Sequence, residues 1–362
     1  MRRNPVSSAP EATTVLPVEA TRQMEVFSLS GREPLSLIVQ AARMYHEQGM
    51  SQPEIAKKLS VSQSRISRWL KAAEERGIIR TIVLAPDGVY PELEEGVRDL
   101  FSLRHVVVAD AADDEQAIMA ALGSAAAIYL ETTLADAARV GISSYSGSLM
   151  ATVDAMLPLK KRQVDEIVQV MGGIGKSDVQ MRATQVADRL ARLTGATPRF
   201  LPTPGLVSSV PARDALFADP IVQDIAKEWG RLTDVLVGIG SISPSELLRS
   251  SGNSISESEM NELRRHGAVG DVAMRFFDDS GELVQSELND RVIGIGVNEL
   301  RRVPRRVGIA GGSRKFHAIR AALRGGWVDV LITDQTTARR LLSDRAPAEK
   351  STTPTSTPRN LK

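Results

Sequence analysis

Residues 51–79 read SQPEIAKKLSVSQSRISRWLKAAEERGII, and this stretch decides how the first part of the chain folds. Ser51 with Glu54 three residues later has the spacing of a capping box, so a helix opens there. Ile55, Ala56 and Leu59 fall on its inner side. Ser62 opens the next helix. In it Ile66, Trp69, Leu70 and Ala73 share one side at helical spacing, and Gln63, Ser64, Ser67, Arg68 and Lys71 share the other. Gly77 closes it. Upstream, LSLIVQAARMYHEQG (35–49) predicts an earlier helix with Leu35, Ile38, Val39, Ala42 and Tyr45 inward and Gly49 at its end. Downstream, IIRTIVL (78–84) predicts a strand that would form a wing carrying Arg80.

Two short helices joined by a tight turn, the second basic on its outer side, make a helix-turn-helix. From Ser51 to Lys71 the basic residues are Lys57, Lys58, Arg65, Arg68 and Lys71, against the single acid Glu54. The whole chain carries a net charge of only +1, but local charge is what meets phosphate. Gln63 can hold an adenine edge through two hydrogen bonds, and Arg65 or Arg68 a guanine edge. Ser62, Ser64, Lys57 and Lys71 suit phosphate contacts, with Ser67 on the same face. The competing reading is a solvated helix face. The short turn, the basic outer surface and the scarcity of acids on it together favour operator DNA as partner.

From about residue 90 the pattern changes. HVVVAD, RVGIS, EIVQVMGG, RFLPT, DVLVGIGS, RVIGIGV, RVGIAGG and DVLITD alternate with helical segments. Such alternation of Val/Ile-rich strands and helices predicts a mainly parallel sheet covered on both faces. AMRFFDD and ELVQSEL flank a Ser280–Gly281 turn and predict an inserted hairpin. The expected organisation is therefore a tail over 1–33, a helix-turn-helix domain over 34–86, an α/β domain over 90–343 and a second tail over 344–362. Both tails are rich in Pro, Ser and Thr without apolar periodicity.

Composition narrows the chemistry. With no cysteine there are no disulfides or thiolate metal sites, and His46, His105, His266 and His317 are too scattered for metal ligation. No cofactor is called for. No apolar run approaches the roughly 20 residues that span a bilayer, and no apolar stretch follows the basic N-terminus as in a signal peptide. A cytoplasmic protein without a membrane partner is expected.

Parallel α/β sheets bind ligands beyond the carboxyl ends of their strands. Several strands here end in glycine- and serine-rich turns. GISSYSGSL offers Ser146, Gly147 and Ser148; VMGGIGKSD offers Gly172, Gly173 and Lys176. VGIGS offers Gly238, Gly240 and Ser241; AGGSRK offers Gly311, Gly312, Ser313 and Lys315. Each run alone also fits a plain tight turn. Lys315, one turn into its helix, could pair with a phosphate or carboxylate, and Asp271 could accept from sugar hydroxyls. Arg249 is a further candidate for a phosphate, and Asp334 either faces the pocket or caps the helix after it.

The segment 51–79 resembles the helix-turn-helix of the SorC family of sugar-binding transcription regulators. PTPGLV, DVLVGIGS, GAVGDVAMRFFDDSGEL, RVIGIGVNELRRVP, AGGSRKFHAIRAALRGGWVDVLITD and QTTARRLL follow that family's order, so the resemblance runs from about Leu35 to Leu342. It implies a C-terminal domain similar to sugar-phosphate isomerases that binds a sugar, sugar phosphate or polyol, and a homo-oligomer, a tetramer. It also implies that Ser146, Gly147, Ser148 and Lys315 belong to the effector pocket, with Asp271 as an acidic contact. The family's first loop often reads Trp-Gly-x-Thr, whereas this chain has Tyr145-Ser146-Gly147-Ser148. The alternative is a sugar-phosphate-isomerase-like enzyme with an accessory helical domain. An isomerase needs a positioned general base, and His317 is the isolated candidate beside Lys315. A ligand-free oligomeric scaffold would leave the glycine-ended strands unexplained.

Overall fold

Among the described residues three helices make the N-terminal unit: α1 (Leu35–His46), α2 (Gln52–Lys58) and α3 (Gln63–Glu75). The computed structural model describes residues 34–79, 88–136, 138–143, 145–159, 164–173, 177–242 and 255–344. The chain divides into two compact units between residues 84 and 85. The Glu54 carboxylate accepts from the Ser51 amide at 2.8 Å and from its hydroxyl at 2.7 Å, which fixes the start of α2. Ile55 and Ala56 from α2 meet Ile66, Trp69, Leu70 and Ala73 from α3 in one small core. The α1 side of that core is Ile38, Ala41, Ala42 and Met44, so the expected Ile38 and Ala42 are buried but Leu35 and Tyr45 of the expected stripe are not. Leu35 is 55% and Tyr45 39% exposed. Leu35 is the first helical residue, and Met44 is buried in the place expected for Tyr45. Gly49 and Gly77 end α1 and α3 with φ of +66° and +67°. The strand expected over 78–84, with Arg80, lies outside the described residues from 80 onward.

The second unit begins with α4 (Pro91–Phe101), β1 (His105–Ala109), α5 (Glu115–Thr133), β2 (Ala138–Ile142), α6 (Gly147–Ala155) and β3 (Val164–Gln169). It continues with α7 (Ser177–Thr194), β4 (Thr197–Arg199), α8 (Val210–Phe217), α9 (Pro220–Trp229), β5 (Asp234–Gly238) and β6 (Gly240–Ser241). Then come α10 (Glu257–Arg265), β7 (Gly270–Val272), β8 (Arg275–Phe277), α11 (Glu287–Asp290) and α12 (Val297–Arg302). It closes with β9 (Arg305–Ile309), α13 (Phe316–Arg324), β10 (Val330–Asp334) and α14 (Gln335–Ser343). Seven strands form one sheet in the order β1-β10-β9-β5-β2-β3-β4. Every pairing in it is parallel. Alternate residues of each strand point to opposite faces, so both faces must be covered. Val235, Val237 and Leu331 join a core with α4, α9 and α13. Leu236, Val330 and Ile332 join another with α5, α6 and α7.

Three of the expected strands are reassigned. The RFLPT strand is Thr197–Arg199, earlier in the chain, an edge strand that carries Pro198 in its ladder with β3. RVIGIGV forms no strand of the sheet. Its buried residues cross the end of β3, where Ile293 accepts from Gly172 N–H at 3.0 Å and Ile295 donates to Val170 O at 2.7 Å. It is apolar because it is buried, not because it is a strand. The hairpin turns at Ala273–Met274, joining β7 to β8, and β6 completes a three-stranded antiparallel sheet. The Ser280–Gly281 turn does fold back, but only as a single bridge between Phe277 and Leu283.

Candidate ligand pocket and DNA-reading helix

The chain runs β2→β3→β4 toward one edge of the sheet and β5→β9→β10 toward the other, so β2 and β5 flank the point where strand order reverses. A crevice at the carboxyl ends of such strands is where open α/β sheets bind ligands. The loops after β2, β5 and β9, three adjacent strands, meet there. A cavity of about 160 Å³ opens beside them, lined by Ser148, Ala310–Lys315, the apolar Ile118, Met119 and Leu122, and the acids Asp113 and Glu115. Its size suits a small ligand rather than a polymer.

Glycines at these strand ends make room for polar side chains. A Cβ on Gly238 would collide with Ser146 Oγ, one on Gly240 with Asp271 Oδ1, and one on Gly311 with Asp334 Oδ2. Ser146 Oγ lies 2.8 Å from Ser148 Oγ, which lies 2.6 Å from Ile309 O. Gly147, the first residue of α6, rests near the Met119 side chain. Asp334 caps α14 through the Thr337 amide at 2.9 Å and accepts the Gly312 amide at 2.7 Å. It thus caps the helix and shapes the Gly311–Gly312 loop at once. Gly312 has φ +90°, a conformation open to glycine.

Lys315 ends a short 3₁₀ turn immediately before α13, earlier than the one-turn depth expected. Burial pulls its ammonium below the ordinary lysine range, and the nearby Asp271 carboxylate partly restores it. Burial pushes Asp271 up, opposed by the Met274 amide and by Lys315. Asp271 Oδ2 accepts from Met274 N–H at 3.0 Å. That bond closes a turn in which Ala273 and Met274 both have positive φ, +51° and +60°, the geometry of a type I′ hairpin without its usual glycine. Arg314 pairs with Glu115 at 2.9 Å across the cavity lining.

Gly173 follows β3 rather than β2, β5 or β9. Its amide donates to Thr203 O at 2.7 Å and its carbonyl accepts from the Gly205 amide, so its backbone is engaged with the 203–205 loop. Lys176 and Arg249 lie outside the described residues. Asp113, Glu115 and Met119 were not singled out from the sequence. The acid-rich loop after β1 is the signal that could have found them. Among the described residues no cluster of His, Asp or Glu could hold a metal ion. No described helix is long and apolar enough to cross a membrane.

In the N-terminal unit, Ser62 caps α3 in extended conformation, with Ser64 Oγ 3.1 Å from its hydroxyl. Gln63, Ser64, Arg65, Ser67, Arg68 and Lys71 are all exposed, as is Lys57 on α2. The Arg65 guanidinium lies 5.6 Å over the Trp69 ring, which holds it at the edge of the buried face. Arg68 Nε reaches back to Ser64 O at 3.4 Å. Lys71 faces Glu75 at 4.0 Å, an exposed pair worth little, so the basic end of α3 is its N-terminal half. In a helix-turn-helix that half enters the major groove.

Residues 90–343 match the family described as "Putative sugar-binding domain", and residues 37–82 match a homeodomain-like helix-turn-helix domain. The chain belongs to the SorC family of transcription regulators. It is 32% identical over 314 residues to the deoxyribonucleoside regulator of Bacillus subtilis, spanning 86% of this chain and 99% of that one. It is 29% identical over 325 residues to the sorbitol operon regulator of Klebsiella pneumoniae, spanning 87% and 100%. The full-length crystal structure of that Klebsiella regulator superposes with a TM-score of 0.66 at 27% identity, over 85% of this chain and 99% of that one. The sugar-binding domain of a regulator from Pseudomonas syringae pv. tomato is 36% identical, with a TM-score of 0.56 over 70% of this chain and all of that one. A DNA-binding transcription regulator with an α/β sensor domain is thus the established frame.

Proposed function

We propose that this regulator reads operator DNA of a carbohydrate-related operon through the exposed side of α3, and that a small sugar, sugar phosphate or polyol in the α/β cavity changes its affinity for that DNA. One observation supports the sensor half above the rest: the loops after β2, β5 and β9 bring Ser146, Ser148, Gly240 and Lys315, with Asp271 of β7 against Gly240, to the strand-order reversal beside a small cavity. Gln63, Arg65 and Arg68 read base edges, and Lys57, Ser62, Ser64, Ser67 and Lys71 hold phosphates. Gly147 shapes the first ligand loop, and Gly173 and Arg249 stand at the margin of the proposal. The protein works in the cytoplasm as a homo-oligomer, in line with the tetramer that the family implies, because paired half-sites need at least two reading helices. It does not act as an enzyme: His317 is exposed and is not among the residues that line the cavity. The test is binding to duplex DNA from upstream of the regulator's own gene. Affinity should fall steeply and linearly in log–log with salt and should change when an effector is added. Turnover of pentose or hexose phosphates in the absence of DNA would contradict it.

A further inference from the structure

The loop after β1, residues 110–114, is bonded in two directions. Toward the cavity, Asp113 and the next helix's first residue, Glu115, are lining residues, and Glu115 pairs with Arg314 at 2.9 Å. In the other direction Asp110 holds the start of α4. Tyr90, the N-cap of α4, donates its hydroxyl to Asp110 Oδ1 at 2.6 Å. A Cβ on Gly88 would lie 3.5 Å from Asp110 Oδ2, so both ends of the Gly88–Tyr90 segment meet that carboxylate. The first turn of α14 ties the same parts together. Gln335 Nε2 donates to Asp110 Oδ1 at 3.1 Å and to Ala111 O at 3.3 Å, and Thr336 Oγ1 donates to Asp113 Oδ1 at 2.9 Å. Asp334, one residue earlier, accepts the amide of Gly312, another lining residue.

Tyr90 stands just past the division of the chain between residues 84 and 85. We infer that Tyr90 and Asp110 are positioning residues for regulation: their hydrogen bond carries the state of the cavity to the segment that joins the sensor to the DNA-reading unit. Neither residue lines the cavity. The inference rests on the proposed effector role of the cavity and adds the route by which that role reaches DNA. The loop is short, so a ligand that displaces Asp113 or Glu115 displaces Asp110 with them. The bonds of the other cavity groups run elsewhere: Ser148 to Ile309 O, Asp271 to the Met274 amide. The Tyr90 hydroxyl is also not what holds α4 in place. The Tyr90 ring packs against the core and lies under the Arg339 guanidinium, 5.7 Å away, and Glu94 on α4 accepts the Val108 amide of β1 at 2.9 Å. Removing the hydroxyl therefore leaves the helix docked and takes away the link to the loop.

Coupling is reciprocal, so DNA must alter the loop if the loop alters DNA binding. The experiment follows hydrogen exchange of the amides of residues 110–120 in the full chain, with and without duplex DNA from upstream of the regulator's own gene. In the parent, DNA should change exchange there by roughly 2- to 10-fold, the worth of one hydrogen bond. In Tyr90→Phe and in Asp110→Asn that change should be lost, and the double variant should respond no differently from either single one, because both act through the same bond. Melting curves for Tyr90→Phe should stay close to the parent's, which separates lost coupling from lost structure. A separate arm titrates sorbitol, ribitol, glucose, ribose and their terminal phosphate esters by calorimetry. The best binder should bind both parent and Tyr90→Phe, and should shift operator affinity roughly 2- to 10-fold less in the variant. A parent loop that does not respond to DNA, or a Tyr90→Phe chain that keeps the full response, overturns the inference and leaves the effector role standing. Failure of the whole panel to bind, with the DNA response still lost in Tyr90→Phe, counts against the effector role and supports the Tyr90–Asp110 link.

Discussion

Ser60, in the turn between α2 and α3, has φ +54° and is exposed. A non-glycine residue in that region carries strain of about 1 kcal/mol that glycine would not. Ser60→Gly should therefore raise the stability of the N-terminal unit by up to about 1 kcal/mol in chemical denaturation, and a lowered midpoint would contradict the account. Gly240→Ala would set a Cβ against Asp271 Oδ1 and push that carboxylate off the Met274 amide. The melting shift produced by an effector should then vanish while the fold survives. Lys315 makes a prediction with a sign. Its folded-state value lies below the ordinary lysine value because it is buried. The unfolded chain then binds more protons, so this group's contribution to stability grows as pH rises toward the ordinary lysine range and is lost as pH falls through the folded value. Relative to Lys315→Met, the parent should gain stability between neutral and alkaline pH. A difference that stays flat with pH would be inconsistent with a buried, depressed lysine. Lys315 and Asp271 could be picked out in the sequence because each follows closely on a glycine, in the runs AGGSRK and GAVGD. The seating of Ser146 and Ser148 could not, because it depends on Gly238 and Ile309 lying next to them in space.

Among the elements, α3 was the most legible. Four apolar residues at helical spacing and a basic opposite side leave one way to place it, and Ile66, Trp69, Leu70 and Ala73 are all buried. Trp69→Ala should cost about 3–5 kcal/mol of unfolding free energy, because a large fully buried ring leaves a cavity. Arg68→Ala should weaken operator binding by about 1–3 kcal/mol if it reads a base, and Lys71→Ala should reduce the salt slope by about one. Equal affinity of the Arg68 variant and the parent across operator sequences would remove Arg68 from the reading set. Less was legible where burial and strand formation give the same signal. Residues 291–297 alternate like a strand yet cross the end of β3, because an apolar run is required by burial in either case. The hairpin was placed at the wrong turn because Ala273–Met274 holds a conformation that sequence assigns to Asn-Gly, and Asp271 supplies the compensating bond. In α1 the period was right and the inner face was partly right: Ile38 and Ala42 are buried as expected, while the core also takes Ala41 and Met44 and leaves Leu35 and Tyr45 exposed.

At the scale of the whole molecule, regulation is a coupling between two equilibria, DNA binding and effector binding. An effector alters DNA affinity only by its unequal affinity for the DNA-bound and free arrangements, and the same factor must appear when DNA alters effector affinity. The α/β alternation made the sheet and its ligand edge readable, because parallel strands need covered faces and leave their carboxyl ends open. Which loops meet there depends on strand order, which no local pattern encodes. The most direct test of the central claim is operator affinity, measured by anisotropy with and without a saturating sugar, sugar phosphate or polyol, for the parent and for Lys315→Ala. The account predicts a shift of roughly 5- to 150-fold in the parent, and in the variant the same effector-free affinity with the shift lost. Loss of DNA binding by Lys315→Ala without effector, or a full shift retained in it, would contradict the account.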